Sequence, residues 1–465
     1  MPKDLRTYLK DLKGSPPEFY LEVNKPLTPE YELSAVLARL EEMKAFPTVL
    51  FNNVKNLHGE PGHRVVMNLT ALRENIAVAC GLDRSKYRME LTKKLLALYE
   101  RPQKPISIRK GDAPVKERVF VEDADLRSIP IVTTHEADGG PFITMMAVTK
   151  YPKWDPIAPG VYNVAFNRMQ YKDARKGGIF IGSTHNFAAF QRYEKRGMPC
   201  PIAIVLGHHP LFLMGAMTRP PAEMSEYDII GGFLQEPVRL TSSETWGDDF
   251  LVPADAETVI EAEILPGIRE REGPFGEWTG YTSGTTMNPV FEVKAITMRS
   301  NSILVSNFVG HRDYDGLCGT AWGLSMFKRV REVVAGALGV YLPPSGRSGF
   351  HAYVQIQKFA EGDQTVAALA AATMGQPKLI VVVDEDIDIF DEEEVLMAVA
   401  CRVQADRDVQ IISNVKGSPL DPSNPGSLHH ATMIVDATKP LGQPFPERLR
   451  VPQDVLERIK LEDFI

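Results

Sequence analysis

The sequence predicts a multidomain α/β protein in which a β-rich middle is flanked by two mixed α/β regions. Three observations carry this. The chain has 465 residues, too many for one hydrophobic core. Its texture changes twice, from mixed helix and strand signals to short strand-like runs split by Gly and Pro, then back again. Its hydrophobic content of 44 % and charged content of 24 % are those of an ordinary globular protein. The expected boundaries are 1–110 for an N-terminal α/β region, 111–312 for a β domain, 313–340 for a linking helix and 341–465 for a C-terminal α/β domain.

In the first region, Leu5, Tyr8, Leu9 and Leu12 share one helix face, and residues 33–43 repeat that spacing. Residues 19–23, 48–51 and 64–67 read as strands, and 72–79 and 83–99 as helices, the last stopped near Pro102. In the middle, strand-like runs at 118–122, 143–150, 161–167, 178–182, 202–207, 259–264, 290–298 and 303–309 leave little room for helix and predict a barrel or sandwich. Residues 314–338 carry Leu324, Phe327, Val330, Val334 and Leu338 on one helical face. Residues 379–384 form a continuous apolar strand, followed by a helix at 395–403 with acids before it, which suits the helix dipole. A strand at 409–412 completes what reads as a βαβ unit. Asp384, Glu385 and Asp386 form a weak metal candidate; a solvated helix start is the commoner meaning. The tail, 443–465, is Pro-interrupted and then helical.

Several functions are disfavoured. A net charge of −8 argues against a nucleic-acid binder. Cys80, Cys200, Cys318 and Cys401 form no C-x-x-C pair and read as buried thiols of a reducing compartment. The N-terminus lacks a signal-peptide core and no run of eighteen apolar residues occurs, so a cytoplasmic protein with no membrane partner is expected. No P-loop, G-x-S-x-G elbow or G-x-G-x-x-G opening a βαβ unit is present.

The stretch with most chemistry in it is Glu270-Arg271-Glu272-Gly273-Pro274-Phe275-Gly276-Glu277-Trp278. Pro274 fixes φ and removes a donor, while Gly273 and Gly276 permit angles that a side chain forbids. The prediction is a stiff loop aiming two carboxylates, Glu272 and Glu277, with Phe275 and Trp278 as apolar wall. Burial against rings disfavours the charged form of a carboxyl, which suits a proton donor. Upstream, Asn163, Ala165 and Asn167 share one face of a strand, with Arg168 on the other unless the chain bends. Arg168 is a permanent two-pronged cation able to hold a carboxylate. His185 closes a polar strand end, and Glu226 follows. Together Asn163, His185 and Glu226 offer an amide oxygen, an imidazole and a carboxylate, a set suited to Mn2+ or Mg2+ rather than to structural zinc. Taken alone, the spacing is unspecific, and a hydrogen-bonded core His with a surface Glu is the commoner meaning.

Asn163-x-x-x-x-Arg168 followed by Glu272-Gly-Pro-Phe-Gly-Glu277 resembles the Arg-Glu-Glu signature of the UbiD family of decarboxylases, and the similarity runs on to Asp436-Ala437-Thr438. The resemblance implies a central split β-barrel binding prenylated FMN with Mn2+ or Mg2+ and K+, and a C-terminal domain that oligomerises as homodimer or homohexamer. It implies reversible, non-oxidative decarboxylation of an aromatic, heteroaromatic or α,β-unsaturated acid through a covalent adduct with the cofactor. Arg168, Glu272 and Glu277 match the catalytic trio, with Glu277 as proton donor. Asn163, His185 and Glu226 match the metal ligands, and Ala165, Arg168 and Thr184 join them around the cofactor. K+ is expected near the backbone of Val164 and Ala216-Met217. The expected pocket is lined by Met145, Phe166, His311, Arg312 and Leu317. The implied partners are the carboxylic acid, CO2 and a prenylated-flavin synthase that supplies the cofactor. One departure is Thr432, where relatives often carry a phosphate-contacting Lys; Lys439 is a candidate substitute. The alternatives are a subunit of a multi-subunit aryl carboxylase and an ordinary FMN oxidoreductase on a similar barrel.

Overall fold

The computed structural model describes residues 2–182, 184–218 and 220–463, with the backbone alone for Thr184. Its N-terminal sheet runs Tyr20–Val23, Thr48–Val54, His63–Met67, Ile303–Val305. The first helix, Leu5–Leu12, buries Leu5, Tyr8, Leu9 and Leu12, the face predicted by their spacing, and Asp4 caps it through the Thr7 N–H. Two differences stand out here. The 83–99 stretch divides into a 3-10 turn, Arg84–Lys86, and a helix, Met89–Tyr99. Ile303–Val305 leaves the β-rich middle and pairs in parallel with Arg64–Val66. An isolated apolar run carries no information about which sheet it joins.

The middle is a closed six-stranded barrel in the order Thr258–Glu272, Cys200–Leu206, Phe142–Lys150, Tyr162–Asp173, Lys176–Phe180, Thr286–Met298. Pairing of the first with the last closes it and removes the open edges. Contrary to expectation, this region also holds helices Thr184–Glu194, Pro210–Ala216 and Glu226–Leu234. The last two are buried on every side, so they show no amphipathic period to read. From Thr184 on the chain is a helix, not a strand end.

Arg312–Val333 is the long helix, shorter at its end than the expected 340 because strand Ala337–Tyr341 follows it. The C-terminal sheet runs Ala337–Tyr341, His351–Ile356, Leu379–Asp384, His429–Ala437, Val409–Lys416. Parallel crossovers run through helix Asp363–Ala372, joining His351–Ile356 to Leu379–Asp384, and through helix Glu392–Arg402 and the strand after it, joining Leu379–Asp384 to His429–Ala437. Val409–Lys416 is an antiparallel edge strand, so 379–412 is not the βαβ unit it resembled. Asp384 and Asp386 are neutralised by Arg402, at 2.9 and 3.0 Å, and Asp386 also by Lys439 at 3.0 Å. Cys401 is exposed, unlike the other three cysteines. Among the described residues no helix is long and apolar enough to cross a membrane.

A continuous apolar core links the N-terminal sheet, the barrel and the long helix. A smaller cluster of Phe142, Phe275, Trp278 and Val309 sits under the 272–278 loop, with Phe350 and Leu420 of the C-terminal region packed against it. Nearby, burial pushes the Asp315 carboxyl up to about 7, against the opposing pull of Arg347 and Arg312. A folded-state value above the ordinary 3.8 means that this group's contribution to stability falls as pH rises from about 4 through 7. Asp315→Asn is therefore expected to gain melting temperature relative to the parent between pH 5 and pH 8, as read by paired thermal melts.

Candidate active site

The site forms where strand Lys176–Phe180 meets Tyr162–Asp173. The two pair from Asp173 only as far as Arg168, which lies opposite Phe180. Beyond that point residues 163–167 are paired, among the described residues, on one side alone, with Phe142–Lys150. Helix Thr184–Glu194 starts beside this half-open strand and packs on it.

Arg168 anchors one end. Its guanidinium lies over its cross-strand partner Phe180, 4.5 Å from the ring centroid, and 5.3 Å from that of Phe275. It donates through Nε and Nη2 to the two oxygens of Glu272, at 2.9 and 2.7 Å. Its Nη1 donates to Glu277 and, at 2.8 Å, to Ser283 Oγ. Asn288 Nδ2 completes the Glu272 shell at 2.9 Å. Exposure of 7 %, 0 % and 5 % for Arg168, Glu272 and Glu277 places two carboxylates on one cation away from water. Such a cluster is held by geometry and hydrogen bonding, because desolvation offsets much of the Coulomb gain.

The two acids reach one guanidinium because of how the loop is built. Glu272 ends strand Thr258–Glu272, opposite Thr286. Gly273, at φ +93°, and a cis Gly273–Pro274 bond turn the chain. Phe275 and Gly276 pair back onto Ser283 and Thr282. The expected wall is present: Phe275 packs on Phe142 at 4.6 Å, and Trp278 on Phe350 and Trp322 at 4.8 and 5.9 Å.

Asn163, His185 and Glu226 come together at the other end. Asn163 Nδ2 donates to Glu226 Oε1, the Val164 N–H donates to Oε2 at 3.2 Å, and His185 Nδ1 lies 3.5 Å from Oε1. Burial raises the Glu226 carboxyl, opposed by its contact with His185. Asn163 Oδ1 is buried without a hydrogen-bond partner. An orphaned amide oxygen, a buried carboxylate and a half-exposed imidazole fit a hard divalent cation. Asn163 and Arg168 have opposite parity on an unbroken register, so they start from opposite faces of the strand, as alternation predicts.

The other expected residues scatter more widely. Ala165 is buried, and its carbonyl accepts from Asn167 Nδ2 at 3.1 Å. The Thr184 side chain lies outside the described residues. Met145 lies opposite Asn167. His311 stacks on Phe308 at 3.6 Å, with Nδ1 2.8 Å from Glu41 Oε2. Arg312 turns to Phe46, 4.9 Å from its ring. Leu317 is wholly buried in the core, and Phe166 packs against it. Thr432 Oγ1 donates to Pro377 O at 2.8 Å in the C-terminal sheet. Lys439 is held by Asp386. Ser283, Asn288 and Glu41 were missed. Asn288 had a signal: two residues beyond the partner of Glu272, it shares that face of the hairpin.

Comparison with known proteins agrees with this architecture. The 3-octaprenyl-4-hydroxybenzoate carboxy-lyase family matches with its N-terminal domain at residues 19–95, its Rift-related domain at 107–312 and its C-terminal domain at 317–437. A phenolic acid decarboxylase of Sedimentibacter hydroxybenzoicus is 30 % identical over 450 residues, 94 % of this chain and 92 % of that protein. The UbiD-class enzyme HmfF from Pelotomaculum thermopropionicum, solved in complex with FMN, superposes with a TM-score of 0.88 at 35 % identity, over 99 % of this chain and 100 % of that one. An evolved dimeric form of HmfF, solved with prenylated FMN, gives 0.86 at 33 % identity, over 99 % and 100 %. The family match and these relatives show a carboxy-lyase. The chain belongs to the UbiD family of prenylated-FMN-dependent decarboxylases.

Proposed function

We propose that this enzyme reversibly decarboxylates an aromatic, heteroaromatic or α,β-unsaturated acid, with Glu277 protonating the product carbon. The observation that supports this best is the sharing of one buried guanidinium by Glu272 and Glu277. Loss of CO2 from an sp2 carbon leaves an electron pair with no sink in the substrate, and bound prenylated FMN would supply one. Asn163, His185 and Glu226 would hold Mn2+ or Mg2+. That cation would let a phosphate sit beside Glu226, near the amino end of helix Thr184–Glu194, where backbone N–H groups favour anions. K+ would lie against the backbone near Val164 and Ala216-Met217.

The roles of the chain's own residues follow from the contacts. Glu272 takes two of the three Arg168 donor nitrogens and so fixes the guanidinium plane. Nη1 remains for exchange. A substrate carboxylate taking it would displace Glu277, which is then free to take a proton from solvent and turn to the substrate as the acid. The C–C bond to the carboxylate breaks, CO2 leaves, and the electron pair left on carbon takes the Glu277 proton. The new Glu277 carboxylate can return to Nη1. Phe275 and Trp278 keep water from this step.

The phenolic acid specificity of the Sedimentibacter relative favours an aromatic substrate. The test is a screen of aryl and acrylic acids for CO2 release, run in D2O with protein co-produced with a prenylated-flavin synthase. One deuterium at the former carboxyl carbon is expected, with turnover lost after chelation of the divalent ion and restored by Mn2+ or Mg2+. Product without that deuterium would overturn the assignment of a protein acid in exchange with solvent.

A further inference from the structure

Outside the catalytic trio, the turn at residues 134–139 meets the 273–277 loop backbone to backbone. A Cβ on Gly139 would lie 2.6 Å from Gly273 O, and one on Gly276 would lie 2.5 Å from His135 Nδ1. At Gly139 the obstacle is the loop backbone and at Gly276 it is the His135 ring, so a side chain at either position would press the two segments apart. The Gly139 N–H donates to Pro274 O at 2.8 Å. Gln170 bridges them, its Nε2 donating to Gly139 O at 2.7 Å and its Oε1 accepting from the Gly273 N–H at 3.2 Å.

Asp138 is the charged member of this seat, with a side chain 1 % exposed. Its Oδ1 accepts the Gly276 N–H at 2.8 Å, one residue before Glu277. Its Oδ2 accepts from the His135 N–H, Thr134 Oγ1 and Thr134 N–H at 2.9, 3.0 and 3.3 Å. Donors therefore approach both oxygens, and charge-assisted bonds of this kind are about twice as strong as neutral ones. Burial works against the Asp138 charge, but the bonds from His135 and Gly276 outweigh it and hold the carboxyl below its ordinary range.

We propose that Asp138 is a positioning residue that sets the place of the proton donor by fixing Gly276 to the 134–139 turn. This rests on the reading of Glu277 as the donor. Asp138 touches neither substrate nor cofactor in this assignment and acts through the backbone. An asparagine has the same shape but one acceptor oxygen, so its NH2 must face N–H donors on one side. Either the loop or the turn is then released. A misplacement of about 1 Å at a reacting group costs on the order of 10²-fold in rate.

The experiment compares the flavin-loaded parent with Asp138→Asn and with Gly139→Ala, which wedges the loop while leaving Asp138 intact. For both variants kcat is expected to fall by about 10- to 10²-fold, with KM, flavin content and melting temperature kept close to the parent. Amide hydrogen exchange across residues 272–281 is expected to speed up in both. Unchanged kcat, or unchanged exchange in that segment, would overturn the proposal. So would a loss of rate that tracks loss of flavin and of melting temperature, since that marks a structural residue only. Hydrogen exchange needs no turnover. A parent that releases CO2 from no acid would therefore remove the role of Glu277, while the exchange comparison still decides whether Asp138 seats the loop.

Discussion

Glu277→Gln is expected to keep its flavin and its fold while kcat falls by about 10² to 10⁴, the usual cost of removing a positioned acid. The backbone is not the reason. The Glu277 N–H donates to Tyr281 O and the Gly280 N–H donates to Glu277 O, both at 2.9 Å, and neither bond involves the side chain. The glutamine oxygen can still accept from Arg168 Nη1, and Glu272 keeps its two bonds to the guanidinium. What is lost is the proton. KM should change little, because Arg168 remains able to hold a carboxylate, so the loss falls on kcat. Steady-state rates with flavin occupancy measured by absorbance check this. A loaded Glu277→Gln enzyme turning over like the parent would remove Glu277 from the chemistry.

The acid pair was legible because its information is local. Gly273, Pro274 and Gly276 dictate a turn whatever surrounds them, and Glu272 and Glu277 are fixed to its two ends. The first helix was legible for a similar reason, as four apolar residues at helical spacing need only a core to face. The helices of the middle region were not legible. Glu226–Leu234 is buried on all sides, and burial of every face erases the period on which a helix reading depends. The meeting of His185 with Glu226 does not depend on whether His185 is read on a strand end or in a helix. The partners of the trio were hidden for another reason. Ser283, Asn288 and Asp138 reach the site through strand register and backbone contact, and neither is written in local composition. The C-terminal crossover was misread because an edge strand running antiparallel has the same residue pattern as one running parallel.

Arg168→Met is expected to abolish measurable turnover and to destabilise the protein by about 3–5 kcal/mol, the cost of breaking a buried ion cluster from one side. Glu272 is wholly buried and Glu277 nearly so. Without the guanidinium, Glu272 retains Asn288 Nδ2 at 2.9 Å as its one other side-chain donor among the described residues, and Glu277 loses its ion-pair partner. The methionine fills most of the space between Phe180 and Phe275 that the arginine stem and guanidinium occupy. Lost charge, rather than a cavity, should therefore dominate. One consequence separates this account from a packing defect. The double variant Arg168→Met, Glu272→Gln should recover part of the loss, since it removes one of the two stranded charges. Urea midpoints, followed by two spectroscopic probes because a multidomain chain need not unfold in one step, measure the effect. No recovery in the double variant would mean that Arg168 stabilises this site by packing, and that the two carboxylates do not depend on its charge.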